Sequence, residues 1–190
     1  MKAHSEKNLA LRNRLAALLL PACLATTASA AEVHQHGLAE AAVVLEGNTL
    51  TVSFRAPLMD ILGTEQAPAD AATRGRYADR LAQITPPAPS SSANCELRGA
   101  TVSTVETLFP AARLEEEHGH DHGDAHTGHA HHADVDNEWT FLCQFPQKLQ
   151  AVSLPFLETF SGLTTEVILL LPAGQGAQRL APGETRIPLE

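Results

Sequence analysis

Basic residues are scarce in this chain: thirteen Lys and Arg stand against twenty-two Asp and Glu in 190 residues. Four of the thirteen, Lys2, Lys7, Arg12 and Arg14, sit at the very start. Without residues 1–30 the balance is nine against twenty-one, or −12 with histidine neutral. Such a chain repels nucleic acid and anionic lipid and attracts cations, which excludes a basic-patch function. Long apolar runs are missing too. Beyond the start, the greasiest stretch is 167–171, which has the length of a strand and not of a membrane-spanning helix. Catalytic signatures are equally absent. There is no HExxH, no phosphate-cradling glycine loop and no nucleophile–base arrangement. The expectation is a protein that is not an enzyme.

The first thirty residues read as a secretory signal. A positive start is followed by an apolar core at 15–25, too short to span a bilayer, and then by Ala28-Ser29-Ala30, the small residues of a cleavage site. A buried N-terminal helix is the alternative. Leu20-Pro21-Ala22-Cys23 is close to the pattern at which bacterial lipoproteins are cut and acylated, although Pro21 fits it poorly. The expectation is an exported, periplasmic protein without stable membrane insertion, with residues 31–190 as a single metal-binding domain.

Cysteine is rare, three in all, and Cys95 and Cys143 remain after the leader. An oxidising compartment favours their pairing. The pair would close a loop of about fifty residues, worth on the order of 4 kcal/mol by the chain-entropy account. Two thiols binding a metal is the rival reading.

Ala41, Val43 and Leu45 alternate with other residues, Gly47-Asn48 interrupts, and Leu50, Val52 and Phe54 alternate again, which predicts a hairpin that Pro57 ends. Helical spacing of Ala71, Ala72, Tyr77, Ala78, Leu81 and Ala82 predicts a helix over about 70–84. The stretch TPPAPSSSAN reads as a linker by composition. Strand character returns from Cys95 to Phe109, in EWTFLCQF and KLQAVSL, in the buried strand TEVILLLP and in the final GAQRLAPGETRIPL, while PFLETFSGL suits a short helix. No internal repeat is visible. The expected fold is mainly β or α+β: an antiparallel sheet or sandwich of about seven short strands with one or two short helices. A body of this size folds without metal.

What the chain has in abundance is histidine, in one place. His118, His120, His122, His126, His129, His131 and His132 are seven of its ten, within fifteen residues that also hold Asp121 and Asp124. Residues 113–137 therefore read as a flexible, disordered His/Asp-rich loop. Imidazole suits zinc, copper, nickel and iron, and carboxylates complete such shells. A structural zinc site uses four fixed ligands on a stiff scaffold. Here many interchangeable ligands lie on a backbone loosened by glycine and alanine. The expected behaviour is several exchanging sites, which suits capture and handover and suits catalysis badly. Binding should weaken as pH falls, because protons compete for the same nitrogens. A solvated linker without chemistry and a pH sensor titrating near pH 6.5 are the bland alternatives.

His34-Gln35-His36 leads into the first strand. Residues two apart share a strand face, so both imidazoles can reach one ion, with Glu65, Asp60 or a loop histidine as a third ligand. If processing falls after Ala31, a free amine with His34 in third place forms a planar four-nitrogen site that favours Cu(II) or Ni(II).

HQHGLAEAAVVLEGNTLTVSFRAP, then GTEQAPA, the histidine run, and LPAGQGAQRLAPGETRIPL together resemble the ZrgA-type periplasmic zinc-binding proteins, over His34 to Leu189. The resemblance implies a part in zinc acquisition beside an ABC-type importer or its substrate-binding protein. It points to His34, His36 and the histidine loop as ligands. One departure stands out: family members commonly carry Gly-Phe-Glu-His where this chain has Gly63-Thr64-Glu65-Gln66, and glutamine is a poor ligand. The expected function is reversible Zn(II) capture in support of uptake. The alternatives are a copper or nickel buffer and a non-catalytic envelope interaction protein. Oligomeric state is not legible at this level.

Overall fold

The computed structural model describes residues 35–110 and 133–189. The predicted hairpin is there: β1 (Leu38–Glu46) and β2 (Thr49–Pro57) pair antiparallel, and Gly47 turns the chain with φ of 60°. Two short helices follow, α1 (Leu58–Leu62) and α2 (Ala71–Leu81). The Asp70 side chain caps α2 by accepting from the Thr73 N–H. The presumed linker is not featureless, since it holds β3 (Ala88–Pro89) and a single 3-10 turn at Ser91–Ala93.

The strand predicted from Cys95 stops early. β4 (Cys95–Val102) gives way to a short helix, α3 (Val105–Leu108), because Thr104 and Thr107 form a reciprocal capping box that starts a helical turn. After the histidine segment comes β5 (Asp134–Cys143). Residues 134–137, expected to belong to the loop, are thus the first part of a strand: Val135 and Asn137 turn into the core and Asp136 faces out. The polar residues between disguised a period-two pattern. β6 (Ala151–Ser153), β7 (Thr164–Leu171), β8 (Gly174–Leu180) and β9 (Arg186–Pro188) complete the chain, and the predicted short helix is a 3-10 turn at Pro155–Glu158.

Six strands form one sheet in the order β4-β5-β2-β1-β7-β8, and β3-β6-β9 form a second. The mainly β sandwich with few helices is as expected. One pairing departs from purely antiparallel: β7 runs parallel to β1. The two sheets, α1 and the Pro155–Glu158 turn share one core, in which Phe54 meets Phe156 edge-on at 4.7 Å and Trp139 lies 6.1 Å from the same ring. Only one face of the large sheet enters that core. β7 is consequently half-buried and not buried: Val167 and Leu169 point inward while Ile168 and Leu170 stand on the open side.

Cys95 and Cys143 are joined by a disulfide that bridges directly opposed residues of β4 and β5. It clamps the end of that ladder remote from the histidine segment. The near end is held differently. Ser103 N–H donates to Asn137 Oδ1 (2.8 Å), the Ser103 hydroxyl donates to the Asp136 carbonyl (2.9 Å), and the Asp136 N–H donates back to the hydroxyl (2.9 Å).

Candidate metal centre

His36 does not lie in β1. It occupies a turn closed by Leu38 N–H donating to the Gln35 carbonyl at 3.1 Å, and Gly37 takes φ of 78° there, a conformation that suits glycine. For His36 the strand-face argument therefore gives way to a turn, while His34 lies outside the described residues. That turn is fixed from two sides. The Gly37 N–H donates to Asp60 Oδ2 at 2.8 Å, and the Gly37 carbonyl accepts from the Thr164 N–H at 2.9 Å.

Asp60 is the residue that this arrangement brings forward. It sits in α1, which begins straight after Pro57 and ends at Gly63 with φ of 76°. Arg80 reaches from α2, donating its Nε–H to the Ile61 carbonyl at 3.0 Å, and so steadies the helix. With one carboxylate oxygen held by the Gly37 amide, the other lies 3.9 Å from His36 Nδ1. That is too long for a hydrogen bond. Two zinc ligands at bond lengths of about 2.0–2.2 Å stand roughly 3.3 Å apart at a tetrahedral angle, so closing on a common ion takes about half an ångström. The imidazole is 58 % exposed and free to make that movement, whereas the carboxylate is 18 % exposed and anchored. The pair thus offers two candidate ligands, one exposed and one anchored.

Among the described residues no group of three His, Cys, Asp or Glu side chains converges on one point, so none of them joins His36 and Asp60 as a third candidate ligand. Glu65 lies just beyond α1 and is half-buried, while Gln66 is exposed. His34, the seven loop histidines, Asp121 and Asp124 lie outside the described residues. Their attachment does not. Ala133, the residue after His132, accepts a hydrogen bond from the Leu58 N–H at 2.8 Å, and Asp134 pairs with Pro57 in the β2–β5 ladder. The described chain thus resumes against the first residue of α1, two positions before Asp60. The signal for Asp60 in the sequence was weak: one acid among several near a turn. Its role depends on α1 folding back onto the β1 entry.

The sequence model of one family, described as ZrgA family zinc uptake protein, matches residues 33–189. No curated protein matches the chain.

Proposed function

This chain belongs to the ZrgA family of zinc uptake proteins, and from that premise we propose that it is a non-catalytic, periplasmic accessory protein that captures Zn(II) reversibly and supports an ABC-type importer. The observation that carries the reading is the extent of the match: residues 33–189 contain the His36–Asp60 pair and the seven-histidine segment together. The segment collects zinc through exchanging sets of imidazoles. The body holds a more ordered site built from His36 and Asp60, completed by His34 or a histidine from the segment. Ala133, one residue after His132, is hydrogen-bonded to the first residue of α1, so the last histidines of the segment are covalently tethered near the store, which favours transfer by ligand exchange. The importer or its substrate-binding protein is the recipient. The leader and the oxidised cysteine pair support the periplasm as the place of work.

The test is calorimetric zinc titration at pH 7.4 on the mature protein beside a variant lacking residues 115–132, a deletion that spares β5. Loss of most sites with retention of one tight site is the expected result. Loss of every site would leave the folded body as a mere carrier for the segment, and no binding by the intact protein would sink the zinc reading.

A further inference from the structure

The outer face of the six-stranded sheet is open among the described residues, and its side chains are ordered in rows by the strand register. One row reads Asp136, Arg55, Glu40, Glu166, Arg179 across β5, β2, β1, β7 and β8. Within it Arg55 Nε lies 3.3 Å from Asp136 Oδ1, and Arg179 is ion-paired with Glu166. The two ion pairs are antisymmetric in charge about β1: acid then base on one side, acid then base on the other, so that reversing the row sets each base over an acid. The next two rows repeat the relation in size. Ser53 and Thr51 on β2 are small where Ile168 and Leu170 on β7 are large, with Ala42 and Val44 on β1 between them. Ile168 and Leu170 are the most exposed large apolar side chains of that face, at 55 % and 44 %. A shallow trough of about 410 Å³ runs past Glu40, Ala42, Ser53, Arg55 and Ile168.

We infer that this face is an interface for a second copy of the chain, related by a two-fold axis parallel to β1. An isologous contact demands that one patch complement itself, and a two-fold along the strands maps each row onto its own reverse. Arg179 of one copy then meets Asp136 of the other, Arg55 meets Glu166, Ile168 meets Ser53 and Leu170 meets Thr51. Aligned sheet packing, with mean strand directions within about 30°, accommodates this geometry. Small side chains over β1 and β2 let the sheets approach. Two positions on the axis conflict, where Glu40 and Glu46 each meet their own copy. The face is about 20 Å wide and 20 Å long, or on the order of 400 Å² per protomer, about half of a standard interface, so the dimer is weak and concentration-dependent.

Sedimentation velocity of the mature protein in chelator, which removes zinc bridging from consideration, tests this between about 10 and 300 µM. The expected result is a weight-average mass that climbs toward twice the monomer value. Glu40→Gln should tighten the association several-fold by removing one of the two like-charge contacts on the axis. Ile168→Asp should abolish it, and Leu97→Asp, an exposed apolar residue paired with inward-facing Phe141, should not. Circular dichroism checks folding, and Arg179→Glu, at 66 % exposure, is a second variant expected to weaken the dimer. A protein that stays monomeric both as wild type and as Glu40→Gln overturns the inference. So does association that survives Ile168→Asp or is lost equally in Leu97→Asp. None of these outcomes bears on zinc binding.

Discussion

Asp60 is where a single side chain decides most. Its carboxylate does two jobs with two oxygens: one accepts from the Gly37 amide and shapes the turn, the other faces His36. Asp60→Asn keeps an oxygen for the amide and removes the charge. In a background lacking residues 115–132, zinc affinity of the proposed body site should fall by about 100-fold or more, because even an outer-shell partner of a metal ligand is worth about 10- to 100-fold. Competition with a chromophoric chelator measures this, and unchanged affinity would reduce Asp60 to a turn anchor. Imidazole coordination also sets a pH signature. Zinc affinity of the intact protein should drop between pH 7.5 and 5.5 as protons take the ligand nitrogens, and a flat profile in calorimetry would contradict histidine capture.

At the scale of elements, two devices stabilise the frame around the site. The disulfide between β4 and β5 spans a sequence separation of 48 residues, and so shortens the unfolded chain across the whole histidine segment. Its reduction should cost about 4 kcal/mol, read as a lower thermal midpoint in reductant. Helix α2 depends on Asp70, whose carboxyl is held below its ordinary value mainly by the Thr73 backbone N–H. A folded-state value below the unfolded one means that the ionised cap stabilises at neutral pH, and that this is lost as pH falls through the folded value. Asparagine caps as well but does not titrate. Asp70→Asn should therefore flatten the acid limb of a melting-temperature profile while leaving pH 7 nearly unchanged, and an identical acid limb would show that the cap's charge is irrelevant.

For the molecule as a whole, the architecture separates two faces of one sheet. The inner face carries Trp139, Phe54 and the other core residues, and the outer carries the charged row and Ile168. Truncation shows which face holds the fold together. Trp139→Ala should destabilise the protein by about 3–5 kcal/mol in urea unfolding, as large core deletions do. Charge substitutions at the exposed Glu40 and Arg179 should leave the unfolding midpoint nearly where it was and change only self-association. Arg55, by contrast, also pairs with the nearly buried Asp134, and its loss should lower the midpoint.

Much of this was legible in the sequence, for reasons of period and composition. The β1–β2 hairpin was visible because Ala41, Val43 and Leu45 alternate before a glycine turn, and local alternation is all that a half-buried strand needs. The histidine segment, seven imidazoles in fifteen residues, proposes metal capture from composition alone, and it lies outside the described residues. The family, too, could be recognised from residues alone. Tertiary structure decided what depends on residues far apart in the chain. It placed β7 parallel to β1, a long-range pairing that left Ile168 in the open although its stretch reads as uniformly apolar. It took residues 134–137 out of the loop, because pairing with β2 turns an acidic stretch into an edge of the core. And it set Asp60 beside His36, 24 positions earlier, through a glycine turn whose amide needed an acceptor that no local residue supplied. Composition and short-range pattern state which chemistry a chain can do; where its groups meet is a matter of long-range hydrogen bonds and packing, which only the folded chain resolves.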